Sequence, residues 1–222
     1  MTSGRANMSH KPLMIQCDFD GTVTIGDLSF QLLDEYTNVP WRQWFEDFKH
    51  GKITVNDYNT RAFSYVKASK KELADYSRMN VRLRPGLSEL LTFCKDHDVR
   101  FVFVSNGMTF YIETILKMIG FPEIEYHAAD CEFLPSGIKA VYHDPSGKAV
   151  RDHFKEAYAE HFLKEGYRVA YFGNGLSDFK AASMCDYIYG IESLAKECDK
   201  HDVAYKSFDS LSSVINDLLA LL

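Results

Sequence analysis

The chain has 222 residues, 46% of them hydrophobic and 25% charged, with a formal net charge of −6 at pH 7. That balance describes an ordinary globular protein with a core of its own, long enough for one domain plus a modest insertion. The acidic charge excludes a general nucleic-acid or anionic-membrane partner, which needs a basic face, yet leaves a phosphorylated small molecule open because only the local field matters there.

Residues 1–10, MTSGRANMSH, carry no apolar h-region and read as a loose tail. No apolar run approaches the roughly 18 residues of a membrane helix, so a cytoplasmic location is expected. The first structured run is LMIQCDFDG, apolar on both faces and too short for a helix, hence a buried parallel strand ending at a polar turn. From Leu28 to Leu83 follow aromatics and helix formers with no strand pattern (SFQLLDEY, WRQWFEDFKHG, NDYNTRAFSYVKA, KKELADYSRM), a helical insertion that re-enters the core at the LRPG turn. VRFVFVSNG is the second buried strand and TFYIETILKMIG a helix; Ile124 to Tyr142 hold another strand and a hairpin turning at Pro135–Gly137. RDHFKEAYAEHFLKEG is a helix, YRVAYFGNG a third buried strand and SLSSVINDLLALL a final helix. The alternation implies an α/β fold, a doubly wound parallel sheet of Rossmann-like form, in which residues 1–27 and 83–222 make the core and 28–82 the insertion. Cys17, Cys94, Cys131, Cys185 and Cys198 are odd in number and lack CxxC spacing, which reads as reduced structural thiols and no zinc site.

The polar turns all fall at strand carboxyl ends, where such sheets bind ligands. In Asp18-Phe19-Asp20-Gly21-Thr22, two carboxylates two residues apart repel unless a cation or a proton lies between them. One can then attack phosphorus while the other carries a proton; a plain turn or helix cap uses the same residues. Ser105-Asn106-Gly107 offers a hydroxyl and backbone N–H groups beside a helix start, a phosphate cradle or an everyday turn. In Gly173-Asn174-Gly175-Leu176-Ser177-Asp178, Asn174 and Asp178 are oxygen donors for a hard cation, or a glycine turn with an Asp cap. A protein cation is needed as well; Lys155, opening a helix, is the better placed, and Lys148 in a Pro-Ser-Gly turn competes.

The order DFDGT, SNG, lysine, GNGLSD resembles the haloacid dehalogenase superfamily of phosphohydrolases over about Met14 to Asp178. The resemblance implies Asp18 as nucleophile and Asp20 as general acid/base, the acid that separates the phosphatases from the dehalogenases. It further implies Ser105 as phosphate-binding hydroxyl with Asn106 beside it, Lys155 as the motif lysine, and a Mg2+ site from Asp18, the Asp20 carbonyl, Asn174 and, through water, Asp178. Two positions depart from the family: it usually has aspartate at Asn174, so a charge is missing from the cation site, and often glycine at Asn106, which narrows the phosphate pocket. The insertion is similar to the helical cap of the phosphoserine-phosphatase branch, with Asp27 and Arg61 where those enzymes face substrate with an acid and an arginine. Gly21 and Asp27 differ from phosphoserine phosphatases, which have serine and glutamate there; DFDGT, Asp27 and TRAF look more like the methionine-salvage enol-phosphate phosphatase type. The function so implied is a magnesium-dependent phosphomonoesterase acting on a small phosphorylated metabolite through an aspartyl phosphate. The alternatives are phosphoserine phosphatase proper, a phosphotransferase or mutase on the same core, and a non-catalytic binder of phosphorylated metabolites.

Overall fold

The computed structural model describes residues 11–222; the tail expected at residues 1–10 lies outside the described residues. The chain begins with β1 (Leu13–Cys17), every residue of which is buried. Four helices follow before the chain returns to the core: α1 (Leu28–Tyr36), α2 (Trp41–Lys49), α3 (Val55–Phe63) and α4 (Lys70–Asn80). Their starts are set by side-chain caps: Asp27 accepts from the Phe30 N–H, Thr54 from Asp57 and Ser69 from Glu72, the last in a reciprocal capping box. Phe30, Phe45 and Tyr58 meet among these helices, with ring centroids 4.8 Å apart for Phe30–Phe45 and 5.5 Å for Phe45–Tyr58.

Both ends of this helical stretch leave the core through one neck. Thr24 bridges Leu83 in antiparallel fashion, the Ile25 N–H donates to the Arg82 carbonyl and the Arg84 N–H to that of Val23. The Arg84 guanidinium reinforces the neck by donating to the carbonyls of Thr22 and Gly21 at 2.6 and 2.9 Å.

Beyond the neck come α5 (Leu87–Asp96), β2 (Arg100–Met108), α6 (Thr109–Met118), β3 (Glu125–Leu134), β4 (Gly137–His143) and β5 (Ala149–Val150). They are followed by α7 (Phe154–Lys164), β6 (Arg168–Gly173), α8 (Phe179–Ala182), β7 (Tyr187–Gly190), α9 (Glu192–Lys200) and α10 (Ile215–Leu219). The sheet order is β5-β4-β3-β2-β1-β6-β7. β3, β2, β1, β6 and β7 are parallel, while β4 and β5 add an antiparallel edge through the hairpin expected near Pro135. The chain winds outward from β1 to β3, then returns to β6 on the other side of β1. The crevice beyond the carboxyl ends of β1 and β6 is therefore the point at which the winding reverses.

Two expectations change in detail. SLSSVINDLLALL is not one helix but a 3-10 turn, Leu211–Val214, followed by α10; Ser213 donates to the Ser210 carbonyl, a local bond that competes with regular helix. Ser105-Asn106-Gly107 does not end its strand but lies inside β2, where the pairing with β3 slips between Val104 and Met108. Such a bulge re-aims side chains and amides away from the ladder. The five cysteines are all free thiols, and no helix among the described residues is long and apolar enough to cross a membrane.

Candidate active site

The crevice gathers the polar turns of β1, β2 and β6. Asp18 follows β1 directly, its N–H donating to the Phe172 carbonyl of β6 at 2.9 Å. Lys155, in the first turn of α7, is brought in by Gln16, a buried residue of β1 whose amide donates to the Lys155 carbonyl at 3.0 Å. Its Nζ lies 2.8 Å from Asp18 Oδ1 and 2.7 Å from Asp178 Oδ1, with only 2% of the side chain exposed. Burial pushes the Asp18 carboxyl up to about 7 against the pull of Lys155. Burial alone would lower the Lys155 ammonium, but the charges of Asp178 and Asp18 hold it above its ordinary range. The ammonium is thus fixed in its charged form beside an acid close to its ionisation point.

Asp178, expected to reach the cation through water, is engaged on both oxygens. Its Oδ1 accepts from Lys155 and from the Tyr171 hydroxyl, both at 2.7 Å, and its Oδ2 from the backbone N–H groups of Asn174 and Gly175 at 3.0 and 2.8 Å. These four donors occupy the acceptor sites of a carboxylate, so Asp178 braces Lys155 and the Asn174 turn, in keeping with a contact to the cation through water and not directly.

The turn after Asp18 folds on the Phe19 carbonyl, which accepts from the Val23 N–H at 3.0 Å. Gly21 has φ +75°, and a Cβ there would stand 2.1 Å from Asn174 Nδ2; both the left-handed backbone and the amide overhead demand glycine. Asp20 points towards the insertion: Oδ1 accepts from the Leu28 N–H at 2.9 Å, and Oδ2 from the hydroxyls of Ser29 (3.2 Å) and Tyr111. Burial raises its pKa while these three donors oppose the rise. Gly107 makes room for this group, since a Cβ there would overlap the Tyr111 hydroxyl and lie 2.8 Å from Asp20 Oδ2.

Ser105 lines the same crevice, its Oγ accepting from the Gly107 N–H at 3.1 Å. The Asn106 carbonyl accepts from Asn59 at 2.7 Å and from Tyr142, while its Nδ2 donates to Asn56 Oδ1 at 2.8 Å. Asn106 Oδ1 is buried without a hydrogen-bond partner, the kind of atom that a phosphoryl hydroxyl or a water can satisfy. Asn56 and Asn59 come from α3, so the bulge of β2 is laced to the inserted helices. Asn174 is held from two sides: the Thr22 hydroxyl donates to Oδ1 and Nδ2 donates to Glu192 Oε2, each at 3.1 Å.

Asp18, Asp20, Asp27, Ser105, Asn106, Lys155 and Asn174 share the wall of one cavity of about 450 Å³. Its outer wall is apolar, formed by Phe30, Phe45, Phe48, Val55, Tyr58 and Leu176, with Lys49 among them. Asp27 caps α1, and burial together with the charge of Asp20 pushes its carboxyl well up. Arg61, expected to face the substrate, does not line this cavity. It is exposed, its guanidinium lies 4.0 Å over the Trp44 ring, and it borders a separate outer depression with Arg151. The cation–π contact and its place off the Val55–Tyr58–Asn59 face of α3 account for this. Lys148 is exposed in the turn between β4 and β5 and does not line the cavity.

No cluster of three or more His, Cys, Asp or Glu suited to a metal occurs among the described residues. Of the residues expected to hold a cation, Asp18, Asp20 and Asn174 line the same cavity, and they offer a carboxylate, a backbone carbonyl and a side-chain amide oxygen. That set fits a hard, largely hydrated cation such as Mg2+.

The model of haloacid dehalogenase-like hydrolases matches residues 15–183. The chain is 25% identical over 214 residues to the 2-hydroxy-3-keto-5-methylthiopentenyl-1-phosphate phosphatase of Exiguobacterium sibiricum, spanning 93% of this chain and 96% of that one. It is 27% identical over 229 residues to the Pdp3-interacting factor 1 of Schizosaccharomyces pombe, spanning 95% and 96%. Among solved structures, a phosphoserine phosphatase captured as a phospho-aspartyl intermediate analogue superposes with a TM-score of 0.71 at 14% identity, over 93% of this chain and 99% of that one.

Proposed function

The chain belongs to the haloacid dehalogenase-like hydrolases, and we propose that it is a magnesium-dependent phosphatase that removes a phosphoryl group from a small metabolite through Asp18. The observation that carries this reading is the buried array of Asp18, Lys155 and Asp178 at the point where the sheet's winding reverses, with Asp20 alongside.

Asp18 attacks phosphorus, forming the aspartyl phosphate as the bond to the leaving oxygen breaks. Lys155, held charged, and the Ser105 hydroxyl bind the equatorial oxygens, where charge spreads in the transition state. Asp20, whose pKa is raised by burial, gives its proton to the leaving oxygen and then takes one from the water that hydrolyses the acyl phosphate. Mg2+, held by Asp18, the Asp20 carbonyl and Asn174, would neutralise phosphate charge and lower the repulsion between phosphate and nucleophile.

The inserted helices, residues 28–82, act as a cap over a core made, among the described residues, of 11–27 and 83–222. Their aromatic wall suits a substrate whose leaving group has an apolar portion, in keeping with the relatives named as methylthiopentenyl phosphate phosphatases. Phosphoserine is less favoured: Arg61, expected to face the substrate as in the phosphoserine-phosphatase branch, stacks outside the cavity on Trp44, which leaves Lys49 as the cation of the aromatic wall. The test is a panel of phosphorylated metabolites with Mg2+, scored by phosphate release. The reading expects the enol phosphate or another apolar-tailed monoester to exceed phosphoserine in kcat/KM. Phosphate release from no monoester sinks the phosphatase reading, and a preference for phosphoserine sinks the apolar-substrate reading alone.

A further inference from the structure

Asn174 leaves the cation site one negative charge short of the family pattern, and the structure contains a candidate for its replacement. Glu192 opens α9 just after β7, the next parallel strand beyond β6. Its Oε2 accepts from Asn174 Nδ2 at 3.1 Å, and it shares the cavity wall with Asp18, Asp20 and Asn174. The two turns are fastened together by backbone: the Ile191 N–H donates to the Gly173 carbonyl at 3.1 Å and the Leu194 N–H to that of Asn174 at 3.0 Å.

Glu192 also has φ +51°. The left-handed region is uncommon for a residue with a Cβ, and glutamate gains no local hydrogen bond there as asparagine or aspartate does. A residue held in such a conformation beside a reactive site points to a task its side chain performs. The neighbouring amide is consistent with this. A carboxylate can only accept, so Nδ2 must face Glu192, and the Thr22 hydroxyl meets Oδ1. Asn174 is thus oriented, with its amide dipole aligned along the axis from Thr22 to Glu192. The bare Gly21 is part of the same arrangement, since any side chain there would strike that amide.

We propose that Glu192 supplies the negative charge that Asn174 lacks, so that Asn174 and Glu192 together do for the divalent cation what a single aspartate does in the family pattern. This rests on the reading of Asp18 as the centre of a cation-dependent site. Asn174 presents the oxygen, and Glu192 sets the charge and fixes the amide through the Nδ2 hydrogen bond.

The test is Mn2+ binding to the full chain without substrate, counted by electron paramagnetic resonance of the free ion, with Mg2+ as competitor. Glu192→Gln keeps an acceptor for Nδ2 but removes the charge, while Glu192→Gly keeps the left-handed backbone without the side chain. Each should weaken Mn2+ about tenfold, the lower end of what loss of a supporting ligand costs. Adding Asn174→Asp to Glu192→Gln should return affinity to the wild-type level or better. Unchanged affinity in Glu192→Gln overturns the proposal. So does loss in Glu192→Gly alone, which assigns the residue to amide orientation and not to charge, and so does failure of Asn174→Asp to restore binding. Asp18→Asn is the control for the underlying reading: if it binds Mn2+ as the wild type does, the cation site is elsewhere and both readings fall together.

Discussion

The two halves of the cavity wall are built on opposite principles. On the sheet side the groups are charged, buried and over-determined; Asp178 alone receives four hydrogen bonds, and Lys155 is held by two carboxylates. On the side of the inserted helices the wall is mainly aromatic, with Phe30, Phe45 and Tyr58 in mutual contact, and its polar members are Ser29, Lys49 and Asn59. A rigid polar array stabilises charge that develops in a transition state, whereas an apolar wall can only sort substrates by shape and hydrophobicity, a discrimination of about 1–3 kcal/mol per methylene. Reaction and selectivity are therefore separable in this molecule, and substitutions on the two sides should separate them.

Asp18→Asn should bring the largest effect, loss of turnover on every substrate with the fold intact, because an amide cannot form the phosphoenzyme. More than trace phosphate release from this variant would break the comparison at its root. Lys155→Met should lower kcat about a hundredfold or more, and Lys148→Met should stay near wild type; side-by-side assays decide, and a crippled Lys148→Met would move the site to the wrong turn. On the helical side, Phe45→Ala should cost about tenfold in kcat/KM on the preferred apolar-tailed ester and leave the rate on acetyl phosphate, which has no such tail, nearly unchanged. An equal loss on both would mean that the wall shapes the reacting centre and not only the substrate's far end.

A pH experiment sharpens the charged side. Burial places Asp18 at about 7 in the folded chain, against about 4 when unfolded. The folded state then binds more protons between those values, and Asp18 withdraws stability as pH rises through that window. In chelator, the melting temperature of Asp18→Asn should gain on that of the wild type between pH 5 and pH 8. A gap that stays constant would mean that Asp18 is ionised throughout and does not carry this dependence. The smallest effect belongs to Arg61→Ala, which should change kcat/KM less than about twofold, as expected for an exposed side chain outside the cavity.

Much of the sheet side is legible in the sequence because strands buried on both faces read as short apolar runs, and their polar ends stand out. DFDG and GNGLSD are such ends, SNG stands out in the same way although it lies in a bulge inside β2, and the chain's winding brings them together. What escapes is what tertiary packing supplies. Tyr111, Ser29, Gln16, Asn56 and Asn59 are ordinary residues on helices or within a strand, and nothing in their local pattern says that they meet Asp20, Lys155 or Asn106. Arg61 is misread for the converse reason: sequence gives its place on a helix but not the Trp44 ring that draws it outward. Glu192 had a usable signal. DYIYG is a fourth short apolar run, and the strand-end rule that picks out Asp18, Ser105 and Asn174 applies to the residue after Ile191 as well.

The contact between α3 and the β2 bulge bears on how substrate enters. The neck tethers both ends of the inserted helices at one place, so any outward swing is a rotation about that place, and the parts that separate most are those farthest from it. Where α3 and its cap meet β2 and the Arg151 carbonyl, the structure has side-chain amides and a hydroxyl, with Asn59 and Asn56 on Asn106 and Thr54 on Arg151. Water can replace each of these bonds once the surfaces part, so they fasten the door without sealing it. Phe30, Phe45 and Tyr58 all lie on the inserted helices, so their mutual contacts would survive such a swing. An outward swing would break these polar bonds, which water can replace, and would also have to part the apolar residues that the inserted helices share with the sheet in one buried cluster.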